Sequence, residues 1–230
     1  MADTSGLAVI VGAGSGLSAS LARQCAAAGM RVALAARNVS KLDPLVKETG
    51  AKAYACDVVD AKQVQRLFTD LDAPELVVYN PSYRVRGPLL ELDAEEVRKT
   101  LMITAYGGFL VAQAAAKRLL ERGRGSLFFT GASASMKGYP ESAPFAMGKF
   151  ALRGLAQSVA RELGPKNIHV AHFVIDGGIV RPGGDARAAA RGADGMLEPD
   201  AIAETYLHVH RQPRSAWTFE VDVRPWVEKF

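Results

Sequence analysis

The segment Leu7-Ala-Val-Ile-Val-Gly-Ala-Gly-Ser-Gly-Leu-Ser18 decides the fold. Residues 7–11 form a short, fully apolar run, which is typical of a strand buried on both faces of a sheet. Glycines follow at positions 12, 14 and 16, and the alanine-rich stretch 15–28 ends at Gly29, as a helix with a glycine stop does. A strand, a glycine-rich turn and a helix in this order predict the first unit of a parallel sheet.

Strand and helix patterns alternate along the rest of the chain. Further strands are predicted over 31–35, 51–55, 76–79, 125–130, 168–175 and 219–223. Helices are predicted over 15–28, 40–49, 60–70, 93–122, 144–163 and 199–210. This order predicts an α/β fold with a doubly wound parallel sheet of the Rossmann type, formed by residues 1–230 as a single domain. Residues 176–198 carry six glycines and three arginines without apolar periodicity, so we expect a mobile lid over a substrate site.

Composition excludes several classes of protein. The 230 residues are 49% hydrophobic with a net charge of +4, which is ordinary for a globular domain and does not require nucleic acid as a partner. Cys25 and Cys56 form no CxxC motif, and the four histidines are not arranged as metal ligands, so we expect neither a disulfide scaffold nor a metal site. Residues 100–116 are too few and too polar for a membrane span, and MADTSG lacks the basic region of a signal peptide. We therefore expect a cytoplasmic protein without a membrane partner.

The glycine-rich turn predicts a nucleotide site. Glycines let the backbone approach a pyrophosphate closely, and the following helix N-terminus offers N–H groups and a favourable dipole. The predicted contacts are Gly12, Gly14, Ser15, Gly16 and Leu17. The alternative is a tight turn without a ligand.

The end of the second predicted strand indicates which dinucleotide binds. Sites that prefer NAD usually place an acidic residue there for the ribose hydroxyls, but this chain has Arg37 and Asn38. The guanidinium of Arg37 suits a 2′-phosphate, which favours NADP(H). The alternative is a solvated arginine that follows a strand.

With these residues the chain resembles the compact, single-domain form of the short-chain dehydrogenase/reductase family. VGAGSGLS resembles the TGxxxGxG loop of that family, with Val11 in place of Thr and Ser18 in place of the last Gly. The resemblance implies further cofactor contacts: Asp57 and Val58 at the adenine, Asn80 and Pro81 where the family has NNAG, Lys149 from YxxxK, and Gly177 and Ile179 beside the nicotinamide. It also implies a homodimer or homotetramer through two long helices. Small residues on those helices, Gly107, Gly108 and Gly148, permit either such contacts or close packing onto the sheet.

This chain departs from the family's pattern at the catalytic positions. The family uses a Tyr as general acid and base four residues before the Lys, but here that position is Phe145, which has no proton to give. The family Ser aligns with Ala132, one residue before Ser133, and the family Asn aligns with Thr104. Only Lys149 is kept; a one-residue shift of the loop would bring Ser133 into place, and Tyr139, in the loop just before the helix, is the best substitute proton donor. The alternative for Tyr139 is a loop aromatic that packs on the lid. Lys149, Ser133 and Tyr139 are the predicted catalytic residues of an NADP(H)-dependent oxidoreductase with an atypical proton donor, acting on a small carbonyl or alcohol. The alternative is a catalytically inactive NADP(H)-binding protein, either a cofactor sensor or a regulatory subunit.

Arginines indicate the charge of the substrate. Arg84 and Arg86 follow the fourth strand, and Arg181, Arg187 and Arg191 lie in the predicted lid. Both segments follow carboxyl ends of strands, where such sheets bind ligands. A small-molecule substrate with a carboxylate or phosphate is one hypothesis, and solvated surface arginines are the other.

Overall fold

Seven strands form one parallel sheet in the order β3-β2-β1-β4-β5-β6-β7 in a computed structural model that describes residues 6–229. The strands are β1 Leu7–Val11, β2 Arg31–Ala36, β3 Lys52–Ala55, β4 Leu76–Tyr79, β5 Gly125–Thr130, β6 Ile168–Ile175 and β7 Glu220–Val223. Every neighbouring pair is parallel. The predicted Rossmann-type sheet is confirmed, whereas the prediction about a signal peptide concerns residues 1–5, outside the described part of the chain.

Helices cover both faces of this sheet. They are α1 Leu17–Ala27, α2 Asp43–Thr49, α3 Ala61–Asp70, α4 Ala94–Leu101, α5 Gly107–Arg122, α6 Ala143–Leu163, α7 Ala186–Arg191 and α8 Pro199–His210. Apolar residues of α3, α5 and α6 pack in one buried cluster, and those of α1, α2 and α8 pack in another. The sheet is thus the middle layer of three, because its strands are apolar on both faces.

The strand order reverses between β1 and β4. From β1 the chain winds outward through β2 to β3, and it then returns to the other side of β1 and winds outward through β4 to β7. Neighbouring crossovers therefore diverge at the carboxyl ends of β1 and β4. A crevice opens at such a point, and ligands of doubly wound sheets bind there.

The helix predicted over 93–122 is interrupted by a wider π-helical turn at Met102–Tyr106. The buried hydroxyl of Tyr79 donates a hydrogen bond to the Ile103 carbonyl in this turn. Next to it, a Cβ on Gly107 would lie 2.7 Å from the Tyr79 hydroxyl. The side chain of Tyr79 on β4 thus contacts the π-helical turn at two positions. Such turns are frequent at functional sites.

The three small helix residues singled out in the sequence pack inside the chain. Added Cβ atoms on Gly107, Gly108 and Gly148 would meet Tyr79, Leu152 and Thr104, respectively. Gly107 thus packs against strand β4, Gly108 against α6 and Gly148 against the turn at Met102–Tyr106, while the contacts between subunits stay a prediction.

The predicted lid at residues 176–198 contains regular structure that its sequence did not indicate. Ile179 pairs with Leu197 in an isolated parallel bridge, and helix α7 lies between them. Asp185 caps α7, since its carboxylate accepts from the backbone N–H of Arg187 at 3.1 Å. The mobility of this segment stays a prediction.

Candidate functional site

The glycine-rich loop after β1 adopts a conformation that requires glycine at its first position. Gly12 has φ +81°, and a Cβ there would lie 2.7 Å from the backbone nitrogen of Pro81. Its N–H donates to the Ala35 carbonyl at 2.9 Å, which ties the loop to β2. By contrast, added Cβ atoms on Gly14 and Gly16 would meet no atom within 4 Å from non-adjacent residues of the described part, 6–229. The backbone at these two glycines is therefore open to close approach by a ligand.

Ser18, in place of the family's last glycine, joins two segments of the site. Its hydroxyl donates to the Gly12 carbonyl at 3.0 Å and accepts from the side-chain amide of Asn80 at 2.7 Å. This bond draws the residue after β4 against the glycine loop. Asn80, predicted as a cofactor contact, thus connects the segment after β4 to the first turn of α1.

The N-terminus of α1 is open to an anion. The residue before the helix is Gly16, which offers no capping side chain, and the first turn contains no acidic residue. A helix N-terminus without a cap leaves backbone N–H groups without partners and carries a partial positive charge. Arg181 lines the same cavity, of about 430 Å³, opposite Ser15 and Leu17. A helix N-terminus of this kind can bind an anion such as a pyrophosphate, and the predicted pyrophosphate contacts stay a prediction.

A groove of about 530 Å³ runs from the glycine loop past the ends of β2 and β3. It brings together the predicted contacts Gly12, Gly14, Ser15, Arg37, Asn38, Asp57, Val58, Asn80 and Pro81. Lys41, which the sequence analysis missed, also lines it. Arg37 and Lys41 are both exposed, and no carboxylate of residues 6–229 lies within 4.0 Å of either. The signal that could have found Lys41 is its position in the same short loop as Arg37, on the way into α2.

A second cleft of about 670 Å³ adjoins this groove at Asn80. It brings together the predicted residues Leu17, Asn80, Ser133, Tyr139, Lys149, Gly177 and Ile179. Residues from β5, β6 and α6 therefore meet the segment that follows β4 at the carboxyl edge of the sheet. All three predicted catalytic residues line one cavity.

Lys149 is the buried cation of this cleft. Its side chain projects from α6, and the ammonium donates to the Thr130 carbonyl at the end of β5 at 2.7 Å. Burial lowers the pKa of Lys149 to about 7, because the charged form loses solvation. Proton exchange by this amine near neutral pH is therefore energetically accessible.

Ser133 and Tyr139 lie on the loop between β5 and α6. Ser133 opens a short 3₁₀ turn and lines the cleft. The hydroxyl of its neighbour Ser135 is buried and accepts from the Ala132 N–H at 3.2 Å. Tyr139 is 39% exposed at the rim, with the ammonium of Lys137 5.5 Å from its ring centroid. Two hydroxyls that can exchange protons thus face the cleft.

Phe145 occupies the wall one helical turn before Lys149. The Lys149 ammonium lies 5.8 Å from its ring centroid, and the guanidinium carbon of Arg84 lies 4.8 Å from the same point. An aromatic face attracts cations through its quadrupole. Phe145 therefore keeps two cations at the centre of the cleft, although it offers no hydroxyl.

A polar network that the sequence analysis missed lies in the sheet behind the cleft. The imidazole Nδ1 of buried His172 is 3.0 Å from a Glu220 carboxylate oxygen, and Arg153 donates to that carboxylate at 2.7 and 2.8 Å. Burial lowers the pKa of His172 to about 4, so the ring is neutral near pH 7. The residues come from α6, β6 and β7, so only the folded sheet brings them together.

Two further properties concern residues 6–229 as a whole. Among them, no group of three or more His, Cys, Asp or Glu side chains is placed to hold a metal ion. In the same part of the chain, no helix has the length and apolar character needed to cross a bilayer.

A parallel sheet with such a crevice at the carboxyl ends of its strands defines the class of dinucleotide-binding α/β proteins. Residues 12–204 match the family model described as enoyl-(acyl carrier protein) reductase. A solved short-chain dehydrogenase from Rhodopseudomonas palustris is 36% identical, with a TM-score of 0.84, over 96% of this chain and 99% of that one. The chain belongs to the short-chain dehydrogenase/reductase family, whose members use nicotinamide cofactors.

Other relatives are more distant. D-threitol dehydrogenase of Mycolicibacterium smegmatis is 28% identical over 71% of this chain and 66% of its own length. L-xylulose reductase of Bos taurus is 29% identical over 71% of this chain and 68% of its own length. A metagenomic short-chain oxidoreductase, solved in complex with NADP, is 26% identical with a TM-score of 0.83, over 96% of this chain and 98% of that one. The matched region thus spans about two thirds of the length of these two curated relatives.

Proposed function

We propose that this chain is an NADP(H)-dependent oxidoreductase that interconverts a small carbonyl compound and the corresponding alcohol. The observation that carries the proposal is the groove itself. It joins an open, uncapped helix N-terminus to two cations, Arg37 and Lys41, that have no acidic partner among the described residues. The 2′-phosphate of NADP(H) would satisfy both cations, whereas NAD(H) would leave them without an anion. The metagenomic relative solved with NADP supports this choice.

Residues of the chain would hold the cofactor along its whole length. The backbone at Gly14 and Gly16 and the N-terminus of α1 would bind the pyrophosphate. Asp57 and Val58 would contact the adenine, and Gly177 and Ile179 would line the nicotinamide position. When bound, the nicotinamide supplies or accepts a hydride. The protein's part is to orient the substrate beside it and to exchange one proton with water.

The proton donor is the part of the proposal that departs from the family pattern. Phe145 stands where the resemblance places a tyrosine, so the proton must come from another group. Tyr139 and Ser133 line the same cleft, and either hydroxyl can serve as general acid. The Lys149 ammonium, held by Thr130, would bond the nicotinamide ribose and provide positive charge near the reacting oxygen.

Oxidation of NADPH with a panel of aldehydes and ketones tests this function. We expect activity in the wild type, a loss of kcat in Tyr139→Phe or Ser133→Ala, and little change in KM. The matched control is Tyr54→Phe, since Tyr54 lies on the edge strand β3 and lines neither cavity. Full activity in both single variants and in the double variant would contradict the assignment of the donor.

Phe145 also favours a second candidate function, an NADP(H)-binding protein without redox activity that acts as a cofactor sensor or a regulatory subunit. Phe145→Tyr separates the two candidates, because it restores a hydroxyl one turn before Lys149. Turnover that appears only in Phe145→Tyr supports the binding protein. Turnover by the wild type that Phe145→Tyr does not increase supports the oxidoreductase.

We further propose that the chain forms a homodimer or homotetramer in the cytoplasm. Four large apolar side chains on or beside α5 and α6 are between 41% and 49% exposed: Tyr106, Phe109, Met147 and Phe150. Neighbouring exposed apolar groups commonly mark a protein interface. Light scattering coupled to gel filtration measures the assembly, and a monomer at all concentrations would contradict it.

A further inference from the structure

Arg84 is a cation that lies over the ring of Phe145, in the wall of the cleft. Its guanidinium carbon lies 4.8 Å from the ring centroid of Phe145, and its side chain lines the cleft together with Ser133 and Lys149. Partial burial and the charge of Arg86 lower the pKa of Arg84, yet a guanidinium stays protonated at any physiological pH. Arg84 is thus a permanent cation on the open side of the cleft, placed over the ring of Phe145.

The arginines of this cleft differ in whether the protein neutralises them. Arg187 donates to the Asp185 carboxylate at 2.8 Å, and Arg191 donates to Glu228 at 2.7 Å. For Arg84 and Arg86, no carboxylate of residues 6–229 lies within 4.0 Å. Two neighbouring guanidinium groups without an acidic partner repel one another, so an anion bound between them would be stabilised.

We infer that Arg84 binds a carboxylate of the substrate, so that the natural substrate is an oxo acid or the corresponding hydroxy acid. This inference rests on the proposed oxidoreductase function and deepens it. Arg84 presents a planar fork of N–H donors that matches the two oxygens of a carboxylate. Its position over Phe145 holds such a substrate with its carbonyl group toward Lys149 and Ser133. Arg84 therefore determines the specificity for a carboxylate substrate, and the positive charge of Arg86 adds to the attraction for the anion.

The charge of the cleft favours a carboxylate over a phosphate. Three carboxylate side chains line the same cavity: Glu141, Asp176 and Glu228, of which Glu228 pairs with Arg191 and Asp176 lies 3.8 Å from Arg224. A phosphate monoester carries close to two negative charges near pH 7, more than one guanidinium neutralises, and would be repelled by Glu141, which has no cation within 4.0 Å among residues 6–229. A carboxylate carries one charge, which the guanidinium of Arg84 neutralises.

Binding of benzoate to the protein, with and without NADP⁺, tests the inference by calorimetry. Benzoate is a carboxylate probe without a reactive carbonyl group, so its binding does not depend on turnover. The variant is Arg84→Met, which keeps the aliphatic stem. The matched control is Arg66→Met, because Arg66 is 82% exposed on α3, where it pairs with Asp70. We expect the Kd of benzoate to rise roughly tenfold or more in Arg84→Met and to stay unchanged in Arg66→Met. The Kd of NADP⁺ should be the same in all three proteins.

A second arm compares two aldehydes that differ in charge and by one methyl group. The probes are 4-carboxybenzaldehyde and its methyl ester, each followed by oxidation of NADPH. The wild type should prefer the carboxylate in kcat/KM, and in Arg84→Met the loss of kcat/KM should be larger for the carboxylate than for the ester, so that the preference disappears.

Three results would overturn the inference: no binding of benzoate to the wild type, equal binding to Arg84→Met, or stronger binding of inorganic phosphate than of benzoate to the protein saturated with NADP⁺, at matched ionic strength. Failure of the proposed function looks different, since there the wild type would bind neither NADP⁺ nor NADPH, or would bind them without turnover of any carbonyl compound. The benzoate titration without NADP⁺ still tests Arg84 in that case.

Discussion

Replacing Arg37 with alanine should weaken the binding of NADPH and leave the binding of NADH unchanged. Arg37 is exposed in the groove and has no carboxylate partner among residues 6–229, so the substitution breaks no ion pair of the protein. The measured change therefore reports on the ligand. A hydrogen bond to a charged group contributes about 1.5–3 kcal/mol. That range corresponds to roughly 10- to 150-fold in Kd.

Two features of the groove place the expected effect toward the lower end of this range. Arg37 is open to solvent, which screens its charge. Lys41 remains in the groove and would still attract the 2′-phosphate. We therefore expect an increase of about tenfold in the Kd of NADPH for Arg37→Ala, and a larger one when Lys41→Ala is added.

The assay is a fluorescence titration of NADPH and NADH at low and moderate salt. The matched control is Lys47→Ala, an exposed lysine on α2 that does not line the groove. A change of less than about threefold for NADPH, or an equal loss for NADH, would refute the reasoning.

Three further predictions concern stability. Gly12→Ala should lower the free energy of unfolding by roughly 3 kcal/mol or more, because its Cβ would lie 2.7 Å from the Pro81 backbone nitrogen at a positive φ. Gly29→Ala, also at positive φ but with no neighbour within 4 Å, should cost about 1 kcal/mol. Burial lowers the pKa of Lys149 from 10.5 to about 7. Between these two pH values the unfolded chain keeps a proton that the native chain releases, so the free energy of unfolding should rise from pH 7 toward pH 10.5. Lys149→Met should lose this rise. Burial lowers the pKa of His172 from 6.5 to about 4, so stability should fall as the pH drops through this range, less steeply in His172→Asn.

Urea unfolding at a series of pH values measures all three effects on the protein without cofactor. Equal losses in Gly12→Ala and Gly29→Ala would show that the contact with Pro81 does not matter. Parallel pH profiles of a variant and the wild type would contradict the assignment for Lys149 or for His172, respectively.

The strands were the most predictable part of the fold. β1, β4, β5 and β6 begin and end at the predicted residues, because each is a mainly apolar segment flanked by polar or glycine residues. The helix over 93–122 was predicted in extent but not in form. Its π-helical turn depends on the hydroxyl of Tyr79, a residue of β4 that contacts it only in the folded chain.

The candidate site divides in the same way. Its loop contacts follow from local patterns, since a glycine spacing or an arginine after a strand is visible in a short segment. The stacking of Arg84 on Phe145 joins the end of β4 to α6, and the Glu220 contacts of His172 join β6 to β7. Such pairings depend on tertiary packing, which periodicity does not encode.

Thr130 contacts both layers of helices at once. Its carbonyl oxygen accepts from Lys149 on α6, and its hydroxyl lies 2.9 Å from the buried hydroxyl of Tyr206 on α8, across the sheet. Repacking of α8 around Tyr206 would therefore act on Thr130, the cleft residue that holds the Lys149 amine. Through the two hydrogen bonds of Thr130, the packing of α8 on one face of the sheet is coupled to the position of Lys149 on the other.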